Sequence, residues 1–203
     1  MTVGTLAALP DISAHMYWYL GRSSGFVSYW LLFASVAMGL AVSSRVFDGA
    51  LARPWVFEVH KFLSVFVMVV MIFHALIMLP DPYAKFTIAD LLVPMRSHYK
   101  SVAMATGIVT LYTSLLVTLS FYAKGLIGQN GWRRLHYVTF AVFVGAMLHG
   151  VFTGTDSTKP FVQYSYLASG MGVLFLTFFR ILASRSAGRP ARVRAVPPRT
   201  EAA

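Results

Sequence analysis

Five stretches of this chain run for about twenty residues each without Asp, Glu, Lys or Arg: Ser23–Ser44, Phe62–Pro80, Ser101–Ala123, Leu135–Thr155 and Pro160–Phe179. At 1.5 Å per residue, roughly twenty helical residues cross a hydrocarbon core about 30 Å thick. A backbone in lipid must satisfy its own hydrogen bonds, so each stretch is predicted to be a membrane-spanning helix. The second is expected to start earlier, near Trp55, because Pro54 suits a first helical turn and Trp favours the interface. Asp81–Tyr99, between the second and third spans, is too polar to cross. There Thr87 and Asp90 have the spacing of a capping box, and Ile88, Leu91, Leu92 and Met95 recur at helical spacing until Pro94 limits the run. A short interfacial helix on the outer surface is expected. Gly125, Gly128, Asn130 and Gly131 predict a turn-rich link before the fourth span. The expected fold is thus all-α, a bundle of five transmembrane helices (residues 1–183) with a disordered basic cytoplasmic tail (residues 184–203).

Composition sharpens this. Hydrophobic residues make up 57% of the chain and charged ones 12%, against about 25% charged in soluble domains. A large soluble catalytic domain is excluded. The first twenty residues carry only Asp11 as a charge and lack a basic n-region, so a signal peptide does not account for the hydropathy. With no cysteine, disulfides, thiolate-held clusters, thiolate zinc and covalent c-type haem are excluded. The net charge of +10 has no aromatic-basic interleaving around it, and nucleic acid is not an expected partner. Twelve of the 17 Lys and Arg fall on one side if the N-terminus is outside, among them the six arginines from Arg180 to Arg199. That bias predicts N outside and C cytoplasmic, in a bacterial inner membrane, with the second and fourth spans running in the same direction.

Four of the six histidines lie in or at the ends of those two spans: His60 and His74 in the second, His136 and His149 in the fourth. Ionisable residues within a membrane mark function by default. His60 and His74 are 14 apart, roughly 21 Å along a helix and nearly on one face. His136 and His149 are 13 apart, and thirteen ideal steps leave them about 140° out of line. The fourth span is therefore expected to tilt, bend or tighten, with Gly145 a candidate position, or one of its histidines is not a ligand. Pairing His60 with His136 near the inside and His74 with His149 near the outside offers two imidazoles to each of two irons, hence two stacked haem b groups. Ser64 and Gly145 lie four residues from His60 and His149 and leave room for a flat macrocycle, although ordinary close helix packing explains either equally well. Haem propionates need cationic or hydrogen-bonding partners. Arg53, Lys61, Lys124, Arg133 and Arg134 are candidates near the inner pair; Arg22, Arg96, His98, Lys100 and Lys159 near the outer one. His15 and His98 are expected at the surface.

These residues resemble the ferric reductase-like transmembrane domain family, which includes NADPH oxidases, ferric reductases and the haem subunit of a periplasmic methionine sulfoxide reductase. The resemblance rests on His60-Lys61-Phe62-Leu63, His74, Asp81-Pro82-Tyr83, Arg133-Arg134-Leu135-His136-Tyr137, and His149-Gly150 with Gly154-Thr155-Asp156-Ser157. It covers roughly Arg22 to Phe179 and shares the 14-then-13 histidine spacing. By this resemblance His60, His74, His136 and His149 are the haem ligands. Arg22 corresponds to the arginine that the oxidases place beside the outer haem, and so is the candidate catalytic residue. Beyond Phe179 the chain has no room for flavin and nicotinamide domains, so a separate donor is expected: a cytoplasmic flavoprotein or a quinol.

The leading expectation is a di-haem b-type membrane cytochrome, the electron-transfer component of an oxidoreductase. It would pass electrons to an outer acceptor: oxygen, ferric iron or a partner reductase. The competing readings are a transition-metal transporter or assembly subunit that uses the intramembrane histidines, and a purely structural five-helix protein. The transporter reading lacks the intramembrane carboxylates usual in proton-coupled transport.

Overall fold

The computed structural model describes residues 15–44 and 52–187. Among these residues the chain is all-α: α1 (Met16–Ser44), α2 (Arg53–Ile77), α3 (Ile88–Leu92), α4 (Ser101–Ser120), α5 (Lys124–His136), α6 (Thr139–Thr153) and α7 (Pro160–Ala187). Four of them, α1, α2, α4 and α7, are each long and apolar enough to cross a membrane; α5 and α6, bent by 42° at a short break, make a fifth if taken as one span. The protein is a multi-pass membrane protein. Large apolar side chains such as Phe62, Val102 and Phe175 are two-thirds exposed on its outside, as a lipid-facing surface requires. Arg45 and the expected tail beyond residue 187 lie outside the described residues.

Local sequence accounts for most boundaries. Proline stands in the first turn of α2, where its missing N–H costs no hydrogen bond. α3 has a complete capping box. Thr87 Oγ1 accepts from the Asp90 N–H at 3.3 Å, and Asp90 Oδ2 accepts from the Thr87 N–H at 2.9 Å and its hydroxyl at 2.6 Å. The helix stops at Leu92 because Val93, extended at φ −105° and ψ 114°, precedes Pro94, which disfavours helical backbone there.

Three expectations are corrected. The glycine-rich segment before the fourth span is not a loop but helix α5, interrupted only at Gly128, whose φ of 72° suits a residue without Cβ. The fourth span is not one helix: it breaks after His136, and α6 starts at Thr139. The last span runs on to Ala187, so Ser184 continues a helix instead of opening a disordered tail.

α1 is the spine. It packs along α2 and also touches α6 and α7, while α4 packs on α6 and touches α2. The core is a mid-height cluster of Tyr29, Leu32, Val36 and Leu40 from α1 with Val67, Val142, Phe143 and Val173. Ser169, on α7, donates to the Tyr166 carbonyl at 2.9 Å. Its single proton being used, the 2.5 Å contact with Tyr29 has the tyrosine as donor, tying α7 to α1. The histidine-bearing α2 and α6 are not a packed pair; α1 and α4 bridge them.

The Thr87 hydroxyl and backbone N–H hold the Asp90 carboxyl below the usual carboxylate range. A depressed carboxylate stabilises from above its unfolded value, and the contribution is lost as pH falls through the folded value. Backbone amide shifts of α3 should therefore hold steady through the ordinary carboxylate range and change only below about pH 4. Asp90→Asn should remove that transition.

Candidate functional site

The four histidines meet in two pairs at two heights. His60 and His136 have ring centroids 6.2 Å apart with planes crossed at 85°. For His74 and His149 the values are 6.4 Å and 75°. α2 therefore runs in the same direction as α5 and α6 together. The angular mismatch of the 13-residue spacing is absorbed where the helix breaks: Val138 N–H reaches Leu135 O at 3.0 Å and Phe140 N–H reaches Tyr137 O at 3.2 Å. These i to i−3 bonds overwind the chain by about 20° per residue relative to an α-helix, and the 42° bend supplies further reorientation. The bend lies at Tyr137–Val138, not at Gly145.

Three of the rings are held from outside the gap. His74 Nδ1 lies 2.9 Å from Gly21 O, His60 Nδ1 3.0 Å from Ser35 O, and His149 Nδ1 2.8 Å from Ala103 O. A carbonyl only accepts, so each Nδ1 carries the proton, and in the neutral ring Nε2 is left with its lone pair. His136 is held differently, stacked on Trp132 at 5.0 Å and 25°.

An imidazole with bonds near 1.35 Å has its nitrogens about 1.15 Å from the centroid. With metal–nitrogen bonds of about 2.0–2.1 Å, two imidazoles on directly opposite sides of one metal would have centroids about 6.3–6.5 Å apart. Both observed separations are within about 0.1 Å of that interval. Among the described residues no third His, Cys, Asp or Glu joins either pair. Among the described residues each pair thus offers two imidazoles and no carboxylate or thiolate.

A cavity of about 590 Å³ surrounds the first pair, within the roughly 300–1,000 Å³ typical of cofactor-sized sites. Its lining includes His60, His136, Ser64, Arg53, Arg133 and Arg180. Trp132 also lines it, and its Nε1–H is buried without a hydrogen-bond acceptor. A buried donor of this kind calls for a polar partner. Lys61 lines the wall as well, bonded to Glu58 at 2.9 Å.

Other candidates fall elsewhere. Arg134 does not line this cavity. Gly145 lies against Thr110 on α4 and borders a separate 390 Å³ hollow between α4 and α6; its small size serves helix packing there. Arg22, next to the carbonyl that holds His74, forms an ion pair with Asp156 and lies 4.1 Å from the Trp18 ring centroid. Lys159 shares Asp156 at 2.8 Å. His15, stacked on Tyr83 at 4.9 Å, and His98 are exposed. Sequence reasoning missed Arg180, counted only as a topology signal, and Trp132. It also missed three glycines that touch imidazoles: Gly25 against His74, Gly39 against His60 and Gly107 against His149. Gly25 and Gly39 repeat the 14-residue interval of His60 and His74, a signal present in the sequence.

Fold and site define a class: a multi-pass helical membrane protein that presents two pairs of opposed imidazoles at two levels. Residues 16–156 match the family described as a domain of unknown function (DUF8596), and the chain belongs to that family. No curated protein and no solved structure matches it.

Arg22 and Asp156 are each about 30% exposed, so screening keeps their pairing modest. A double-mutant cycle with Arg22→Ala and Asp156→Ala, followed by thermal unfolding in detergent, should give a coupling of about 0.2–1 kcal/mol.

Proposed function

We propose that this protein is a di-haem b-type membrane cytochrome that carries electrons from one face of the bilayer to the other. The observation that carries the reading is the pair of imidazole separations, 6.2 and 6.4 Å, each suited to one metal with no further protein ligand nearby. A haem would supply the remaining metal donors and a one-electron iron couple when bound. His60 with His136 and His74 with His149 would hold its iron. The 590 Å³ cavity beside His60 and His136 would give a macrocycle room at that level. Arg53, Arg133, Arg180 and the unpaired Trp132 N–H would take propionates at the first pair, with Ser64 against the ring. Two protein nitrogens on each iron would leave it no site for substrate, which suits electron transfer. The two levels are about 21 Å apart along α2, and the packed core around Leu32, Val67 and Phe143 keeps water out between them.

In this reading α5 and α6 form one broken span, giving five spans in all, and α3 lies along the outer interface. The arginine-rich side is cytoplasmic, in a bacterial inner membrane. Electrons enter at the His60 level from a flavoprotein or quinol and leave at the His74 level to oxygen, ferric iron or a partner reductase. An inside-negative potential favours that direction by about 2.3 kcal/mol per 100 mV for a full crossing. Arg22, neutralised by Asp156, would set the electrostatics of the exit side. The ferric reductase-like resemblance points the same way. Two-ligand histidine pairs suit a zinc ion in transit less well, since zinc sites take three or four protein donors.

Purified protein should show a reduced-minus-oxidised b-type spectrum and about two haems per chain. Crossed ring planes predict strongly anisotropic low-spin ferric resonances instead of the rhombic signal of parallel imidazoles. His60→Ala and His136→Ala should remove the same haem, and His74→Ala and His149→Ala the other. A colourless, folded preparation made with ample haem would overturn the proposal and favour metal transport.

A further inference from the structure

The three carbonyls that hold histidines share a local design. Gly21 O binds His74, and the ring of His74 lies on Gly25, four residues on. Ser35 O binds His60, whose ring lies on Gly39, again four residues on. Ala103 O binds His149, whose ring lies on Gly107. Residues i and i+4 share one face of a helix. A carbonyl at i and a bare Cα at i+4 therefore form a seat one turn long: the carbonyl anchors Nδ1–H, and the missing side chain lets the ring lie against the backbone. On α1 the two seats are 14 residues apart and face histidines 14 apart on the antiparallel α2. One register serves both.

We infer that Gly25, Gly39 and Gly107, each with the carbonyl four residues before it, are positioning elements that fix His74, His60 and His149 as Nδ1–H tautomers with Nε2 turned to the gap. The inference rests on the haem reading for its consequence but not for its geometry. A Cβ on Gly25 would come within 2.8 Å of His74 Cε1, and one on Gly107 would overlap the His149 ring. Neither ring can retreat without giving up its carbonyl. At Gly39 the nearest approach is 3.1 Å, to His60 Cε1, so that seat has more tolerance. His136 has no seat. Fourteen residues on from Ala103 and Gly107 stand Val117, on α4, and Phe121, its C-cap, and the Phe121 ring packs against Trp132, on which His136 stacks. Three ligands are thus held by backbone and one by an aromatic stack. Outer-sphere hydrogen bonds of this kind set tautomer and orientation in metal sites.

The test has two arms. In the first, the full-length protein is labelled with ¹⁵N-histidine, purified without haem, and its tautomers are read by NMR, with His→Ala variants for assignment. The expected result is protons on Nδ1 for His60, His74 and His149. Protons on Nε2 for any two of them would overturn the inference, whether or not the protein binds haem. In the second arm, Gly25→Ala and Gly107→Ala are compared with Gly170→Ala, where the nearest atom beyond the helix backbone is Met147 Sδ at 3.8 Å. Each of the first two should fall from two haems to one and resemble His149→Ala, with the other haem's resonance and the helical circular dichroism retained as proof of folding. Gly170→Ala should keep both. Two haems with unchanged resonances in both Gly25→Ala and Gly107→Ala would overturn the inference. A native protein that takes up no haem would sink the cytochrome proposal alone, leaving the tautomer result to stand or fall by itself.

Discussion

An imidazole inside a bilayer has no water to receive its N–H, and the constraint this imposes organises the bundle. A mid-helix carbonyl engaged by its own i+4 amide keeps a second lone pair, and three of these histidines use that of a neighbouring helix at close range. The Nδ1 contacts of His60 and His74 to α1 and of His149 to α4, all at 2.8–3.0 Å, demand that closeness. They accompany the intimate packing of α1 on α2 and of α4 on α6. In lipid there is little hydrophobic force to drive helices together. Polar bonds and small residues supply the affinity, and here the two coincide turn by turn.

Two antiparallel helix pairs result, each tied by histidine-to-carbonyl bonds, with α7 joined to α1 through Tyr29 and Ser169. What lies between the pairs is as telling as what lies within them. α2 and α6 face one another without packing, and the space around His60 and His136 is bordered by three arginines and a buried indole N–H. Apolar packing at mid-height closes the interior between the two histidine levels. The architecture thus separates an open histidine level, His60 with His136 beside a cavity, from a closely packed one, His74 with His149.

Much of this was legible in the sequence, because lipid enforces simple rules. Uninterrupted apolar runs marked the helices, Thr87 and Asp90 marked the start of α3, and the 14- and 13-residue spacings named the pairs that meet. The misreadings have physical causes. Gly125, Gly128 and Gly131 look like turn residues, yet only Gly128 leaves helical geometry; the tertiary setting holds the others in a helix against their weak propensity. The break after His136 has no proline or glycine to announce it. It arises from a local tightening of the hydrogen-bond ladder that no residue type encodes. Gly145 was weighed as room for a ring, but a glycine's neighbour lies on another helix, and pairwise register between α4 and α6 cannot be read from either helix alone. Gly25, Gly39 and Gly107 were overlooked for the same reason, although the interval between the first two repeats that of the histidines they touch.

The interruption at Tyr137–Val138 means that His136 and His149 do not ride on a single rod. His149 belongs to a helix clamped along its length by α4. His136 belongs to the last turn of a largely exposed segment set off by the kink at Gly128 on one side and the break on the other. A contact made with that segment from outside would therefore reach His136 directly, and His149 only across the break.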